Sequence, residues 1–195
     1  LGEKYRCMAE QDKERIGVVK IMEIRTKRLI IVPIDTSFLD STCEFAMGRE
    51  HIRMMVYFPK DSRDEVLVYL QDAEAEFKKE QPDFCEYAVM LGNKHIGIIS
   101  MYFEGQYDRG ELGWIIRREY RGNGYAVEAA EGLIQFFHEN YGIKRFIAQR
   151  DIDNIASKRV IEKLGMHYVE THGGRYNRGS DEERKEEKNQ LTIDN

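Results

Sequence analysis

Hydrophobic positions along the chain recur with two periods, and the switches between them mark out the elements. The β-branched run "RLIIVPI" (Arg28 to Ile34) predicts a strand. Pro33 places it at an edge or near its end, because proline cannot donate to a ladder. Asp35, Thr36 or Ser37 can cap a helix over about Phe38 to Met47. From near Ser62 to Lys79, Val66, Leu67, Leu70, Ala73 and Phe77 recur at steps of three and four and predict one buried helical face. Asp64, Asp72, Glu76 and Lys79 mark its opposite, solvated face. "EYAVML" (Glu86 to Leu91), the turn "GNK" and "HIGIISMYFE" (His95 to Glu104) read as a hairpin, with Gly92-Asn93 supplying the positive φ of its turn. A strand over 110–116 follows. Next comes a helix with Ala126, Ala129, Ala130, Leu133, Ile134 and Phe137 on one broad face, ended by Gly142. "RFIAQR" (Arg145 to Arg150) is the next strand, "NIASKRVIEKLG" (Asn154 to Gly165) a capped helix and "MHYVETH" (Met166 to His172) another strand. The polar stretch "GGRYNRGSDEERKEEKN" reads as a mobile segment before a last short strand, "QLTI" (Gln190 to Ile193), paired back on Met166–His172.

The order is strand, two helices, three strands, helix, strand, helix and two strands. It predicts a mixed α+β layout with helices packed on a largely antiparallel sheet. Residues 1–21 are highly charged and weakly periodic, whereas Met22 opens "MEIRTKRLIIVPI" as a natural start. They are expected to be an N-terminal extension, disordered or added to the natural chain, with residues 22–195 forming a single domain. A short helix docking on a partner chain is the alternative.

Composition narrows the function classes. With 195 residues, 42% of them hydrophobic, the chain has material for a real core. A net charge of −5 argues mildly against nonspecific nucleic-acid binding and is compatible with a cationic small substrate. No apolar run approaches the roughly 20 residues needed to span a bilayer, and no secretory signal opens the chain. Cys7, Cys43 and Cys85 are odd in number and widely spaced, which speaks against a disulfide framework or zinc site and for a reducing cytoplasm. His51, His95, His138, His167 and His172 show no HxxxH spacing, so no metal is expected.

The most informative stretch is "EYRGNGYAVEAAEGLIQFFHENYG" (Glu119 to Gly142), which directly follows the strand "ELGWII" (Glu111 to Ile116). Strand, glycine turn, helix is a backbone device. Glycines permit positive φ and close approach to the main chain, and a helix start offers unpaired N–H groups and a positive dipole end. Together these invite an anion, most often a phosphate. A P-loop would need GxxxxGK[ST], and the lysine and hydroxyl are missing. A dinucleotide fold would need GxGxxG early in a parallel βαβ unit, and here the third glycine is missing and the turn follows an antiparallel hairpin.

"RGNGYA" does match [Q/R]-x-x-G-x-[G/A], with Arg121, Gly124 and Ala126 in the signature places. Together with "ELGWIIRREYRGNGYAVEAA" and "NIASKRVIEKLGM", the chain from about Met22 onward resembles the GCN5-related N-acetyltransferases (GNAT), specifically the ribosomal-protein alanine N-acetyltransferase branch. The resemblance implies a GNAT fold, with a mixed, mostly antiparallel sheet of six to seven strands flanked by about four helices. It implies acetyl-CoA as cosubstrate and direct transfer to a primary amine within a ternary complex. The pyrophosphate would sit on the turn formed by Arg121, Gly122, Asn123, Gly124, Tyr125 and Ala126. The pantetheine arm would lie like an added strand along Trp114, Ile115 and Ile116. Asn154 would cap its helix and touch the arm. Glu111, acting through water, is the first candidate base, with a structural or substrate-orienting role equally open; Glu104 and Asp108 are less well placed. Many relatives carry a tyrosine seven residues after the helix asparagine as proton donor to the thiolate. That position here is Ile161, so Ser157, three after Asn154, is the candidate partner for the CoA sulfur. Lys158 and Arg159 read as solvent or phosphate contacts. The acceptor side would come from the helices at 36–80 and a loop at 172–189, with Phe45, Tyr57 and Phe58 lining it or belonging to the core. The acceptor stays open between a protein N-terminus, a small amine (polyamine, amino acid or aminoglycoside) and a non-catalytic acyl-CoA-binding role. Neither nucleic acid nor membrane is expected as a partner, and a homodimer is left open.

Overall fold

A computed structural model describes residues 23–48, 53–105 and 107–194; the charged leader 1–21 lies outside the described residues. Two short strands, β1 (Ile24–Arg25) and β2 (Ile30–Pro33), lead into α1 (Leu39–Ala46) and α2 (Arg63–Glu76). The strands β3 (Phe84–Leu91), β4 (Lys94–Glu104) and β5 (Arg109–Ile116) follow, then α3 (Tyr125–Tyr141) and β6 (Arg145–Asp151). The chain continues through α4 (Ile155–Lys163), β7 (His167–Tyr176) and β8 (Glu183–Thr192). Among the described residues these eight strands form one mixed sheet in the order β1-β2-β3-β4-β5-β6-β8-β7. Every neighbour is antiparallel except β5 and β6. The two-residue β1 carries the count past the six or seven expected. Among the described residues no helix is long and apolar enough to cross a membrane.

The local rules explain most boundaries. The Asp35 and Ser62 side chains accept from Ser37 N and Glu65 N, satisfying donors at helix starts. Gly142 closes α3 in the left-handed region at φ 69°. β3 and β4 are buried along most of their length, as strands covered on both faces must be. One face, with Ile31, Ile99, Met101 and Leu112, packs on Ala129, Leu133 and Phe137 of α3. The other, with Ala88, Ile98 and Ile115, packs on Phe45 of α1 and Leu70 of α2.

Two expectations need correction. Glu76 is not on a solvated face: it is 8% exposed. Its carboxylate accepts from Asp83 N at 2.9 Å and pairs with Lys79 one turn away, anchoring the end of α2 to the start of β3. The polar stretch after His172 is likewise not a mobile segment. β7 runs on to Tyr176, and β8 begins at Glu183 and inserts between β6 and β7. Charges replace apolar side chains as its cement. Arg150 pairs with Glu187 at 2.7 Å and Arg184 with Asp151 at 3.1 Å. Arg175 pairs with Glu186, and Lys188 faces Glu170 at 3.8 Å. Such opposite charges on adjacent strands stabilise a pairing that a hydrophobic-period reading does not register.

Candidate functional site

The sheet splits at one place. β5 and β6 pair only at Arg109↔Arg145, Gly110↔Phe146 and Glu111↔Ile147. Beyond that point β5 continues to Ile116 bonded only to β4, while β6 follows β8. Among the described residues the β6-facing edge of residues 112–116 is therefore left without a strand partner. A cleft of about 600 Å³ opens in the gap. Its walls are Trp114, Ile115 and Ile116 on β5, the first turn of α3 and the first turn of α4.

The two helix starts differ. α4 is capped by Asn154, whose Oδ1 accepts from Ser157 N at 3.0 Å. α3 has Gly124 as its cap residue, with no side-chain cap bond, so its first N–H groups are available to a ligand. Gly122 and Gly124 both stand at φ 80°, a conformation costly for any residue with a Cβ. Arg121 braces the turn by donating Nε to Ile116 O at 2.8 Å.

The cleft brings together Trp114, Ile115 and Ile116 with Arg121, Gly122 and Gly124 of the turn. Tyr125, Ala126, Asn154 and Ser157 also line it. Arg159 joins them, whereas Lys158 faces Glu162 at 3.9 Å. Asn123 does not line the cleft; its Nδ2 donates to Tyr120 O and Arg121 O and holds the turn.

Glu111 also stands outside the cleft lining. Leu112 and Trp114 pack with the α3 side of the core and Ile115 with the α1–α2 side. By strand alternation Glu111 and Gly113 share the face of Ile115. Gln149 Nε2 donates to Glu111 Oε2 at 2.9 Å. Burial raises the Glu111 pKa above the ordinary carboxylate value, against the opposing pull of the Gln149 bond. Glu104 pairs with Arg109 at 2.9 Å and Asp108 with Arg145, both at the surface.

Sequence reasoning missed the opposite wall. Arg53, Met54 and Met55, from the loop between α1 and α2, line the same cleft. A second cleft of about 720 Å³ shares Arg53, Met54 and Asp153 with the first and extends along Asp61, Asn177 and Arg178. The β7–β8 hairpin is tied to this loop: Arg178 N donates to Met55 O at 2.9 Å and Arg175 Nη2 to Met54 O at 2.7 Å. Arg178 also reaches Asp61 at 3.2 Å and Glu65 at 2.7 Å. No local motif could announce a wall assembled from segments over a hundred residues apart. Phe45 and Phe58 belong to the core, whereas Tyr57 is 63% exposed and stacks near Tyr102. Among the described residues no group of three or more His, Cys, Asp or Glu side chains could hold a metal ion.

Comparison with known proteins agrees with this geometry. A family model described as an acetyltransferase (GNAT) domain matches residues 28–167. The chain is similar to an uncharacterized N-acetyltransferase, YnaD, of Bacillus subtilis (strain 168), at 30% identity over 151 residues covering 74% of this chain and 82% of that protein. Its fold is similar to that of RimL, a ribosomal alpha-N-protein acetyltransferase in complex with coenzyme A. There the TM-score is 0.80 at 16% identity, over 88% of this chain and 98% of the other. It is also similar to that of a microcin self-immunity acetyltransferase, MccE, in complex with acetyl-CoA and AMP. The TM-score is 0.76 at 14% identity, over 86% of this chain and 93% of the other.

Proposed function

Because this chain belongs to the GNAT acetyltransferase family, we propose that it is an acetyl-CoA-dependent N-acetyltransferase acting on a primary amine in a ternary complex. The observation that carries the reading is the uncapped start of α3, with Gly122 and Gly124 at positive φ, beside an unpaired strand edge. These two features match two adjoining parts of the cosubstrate. The N–H groups at the start of α3, which no side chain caps, suit a pyrophosphate, and the edge at Trp114 to Ile116 suits an arm that carries amides. RimL is in complex with coenzyme A and MccE with acetyl-CoA and AMP, which supports the same assignment here.

When bound, acetyl-CoA supplies an activated acyl carbon and a thiolate leaving group. The chain's own residues then have two tasks. One is to take a proton from the incoming ammonium. Glu111, on the α1–α2 face, is placed to accept it through water, and burial that raises its pKa makes it a stronger base than an ordinary carboxylate. The other is to stabilise the departing sulfur. Ser157, fixed by the Asn154 cap at the cleft wall, offers a hydroxyl donor there. The acceptor would approach through the second cleft. At about 720 Å³ that cleft has room for more than a lone amine, which favours the N-terminus of a protein chain over a polyamine or amino acid. The free thiols of Cys43 and Cys85 suit a reducing cytoplasm.

The test is thiol release from acetyl-CoA with a panel of peptides and small amines, read by mass spectrometry. Peptide N-termini should be the better substrates, and no turnover with any amine would sink the enzymatic reading. Glu111→Gln should lower turnover by roughly 10²–10⁴-fold near neutral pH, and the loss should shrink at high pH, where the amine is already neutral. Ser157→Ala should show a smaller defect without that recovery.

A further inference from the structure

The N-terminal hairpin reaches across to the glycine turn about a hundred residues away, through one arginine. Arg28 Nε donates to Glu128 Oε2 at 2.6 Å, and Glu128 lies in the first turn of α3. Arg28 Nη1 donates to Asn123 O at 3.0 Å. The guanidinium lies 4.5 Å from the centre of the Tyr125 ring, and Nη2 would be 3.6 Å from a Cβ placed on Gly124. The backbone takes part as well. Arg28 N and Thr26 Oγ1 both donate to Glu128 Oε1, at 2.7 and 2.6 Å, while Thr26 Oγ1 accepts from Leu29 N at 3.0 Å. The hairpin turn and the start of α3 are thus one hydrogen-bonded unit.

Arg28 does not line the cleft, so it acts on a ligand only through the turn. That turn needs restraint. Two residues at φ 80° without side chains leave the backbone more alternatives than any other composition would, and α3 has no side-chain cap to order its start. We propose that Arg28 is the positioning residue for the cosubstrate: by holding Asn123 O, the Tyr125 ring and Glu128 together, it keeps the N–H groups of the glycine turn aimed into the cleft before any ligand arrives. A loop ordered in advance binds more tightly because less freedom is lost on binding. This inference rests on the reading that the 121–126 turn receives the pyrophosphate. Arginine is specific to the task. Its fork reaches Glu128 and Asn123 at once while stacking on a ring, whereas a lysine ammonium can keep the charge pair but not all three contacts.

The experiment measures coenzyme A affinity by calorimetry, and steady-state kinetics, for Arg28→Ala, Arg28→Lys and Gly124→Val, each at a temperature well below its Tm. Arg28→Ala should raise the Kd of coenzyme A about tenfold, the loss of one charge-assisted contact. The KM for acetyl-CoA should rise in step, while kcat at saturating acetyl-CoA and the KM for the amine stay within about twofold. Arg28→Lys should recover part of the affinity. If Arg28→Ala lowers Tm but leaves the Kd of coenzyme A unchanged while Gly124→Val abolishes binding, the phosphate reading stands and the positioning role is overturned. If Gly124→Val binds coenzyme A like the parent, the phosphate reading falls and this inference falls with it. Should Arg28→Ala not fold, Arg28→Lys decides: parental affinity in that variant overturns the proposal.

Discussion

The middle of the sheet and its β7 end are held together by different physics. β3 and β4 are sandwiched between helices, and side chains such as Ile98, Ile99 and Met101 are at most 1% exposed. β7 is exposed at every position except Arg175, with Tyr168 62% and Tyr176 51% accessible. The β7–β8 and β8–β6 pairings rely on ion pairs, among them that of β6 Arg150, whose side chain is 3% exposed, with β8 Glu187. Two register irregularities in its pairing with β8, at Tyr168/Glu170 and His172/Arg175, interrupt this edge strand, a feature that discourages edge-to-edge association. The difference teaches that the cleft stands on a seam. One wall belongs to the apolar half and the other is bolted to the polar hairpin through Arg175 and Arg178.

That contrast can be broken by mutation. The largest effect should come from the apolar half. Ile99→Ala, at a fully buried β4 position, should cost roughly 3 kcal/mol of stability in urea unfolding; a cost below about 1 kcal/mol would deny that this half supplies the stability. Acid should come next. His95 is 5% exposed. Its Nε2 donates to Gly97 O at 2.9 Å, its Nδ1 lies 2.9 Å from Ser41 Oγ, and the rings of Phe38 and Phe45 flank it. Burial pushes its pKa down to about 4, so the folded state favours the neutral ring. The stability it contributes is complete above the unfolded value near 6.5, falls as pH drops below that, and is gone below about 4. Between pH 6.5 and 5 the loss should be about 2 kcal/mol, and His95→Gln should flatten the profile over this range. A parental slope in that variant would assign the acid sensitivity elsewhere. The smallest effect belongs to the hairpin's outer pairs. Lys188→Ala, which removes the 3.8 Å contact with Glu170, should change stability by less than about 1 kcal/mol, and that change should vanish in high salt.

Legibility followed the same division. The strands from β2 to β6 and the four α-helices among the described residues announced themselves because burying an apolar face imposes a period on the sequence, and caps such as Ser62, Asn154 and Gly142 set their ends. The glycine turn was readable because its chemistry is local. Of β8 only the end, "QLTI", was readable; "ERKEEKNQ" was not, because it carries charges whose partners, Asp151, Glu170 and Arg175 among others, are known only once the sheet is assembled. Glu76 was misread for the same reason: its partner is the Asp83 N–H beyond the helix. The wall made by Arg53, Met54 and Met55 has no local signature, since only its neighbours across the split make it a wall.

The split between β5 and β6 also bears on how such a protein can diversify. The glycine turn, its Arg28 brace and the start of α3 form one hydrogen-bonded module. The loop at 53–61 and the hairpin turn at 177–182 form another, joined to the first across an opening rather than through a shared core. Insertions or substitutions in the second module can reshape what enters the opening while the first stays constant. Exchanging 53–65 and 177–182 together, with the Arg178 contacts to Asp61 and Glu65 that join them, is therefore the natural unit of transplantation between relatives. Either loop moved alone would leave Arg178 or its carboxylates without a counterpart from this pairing.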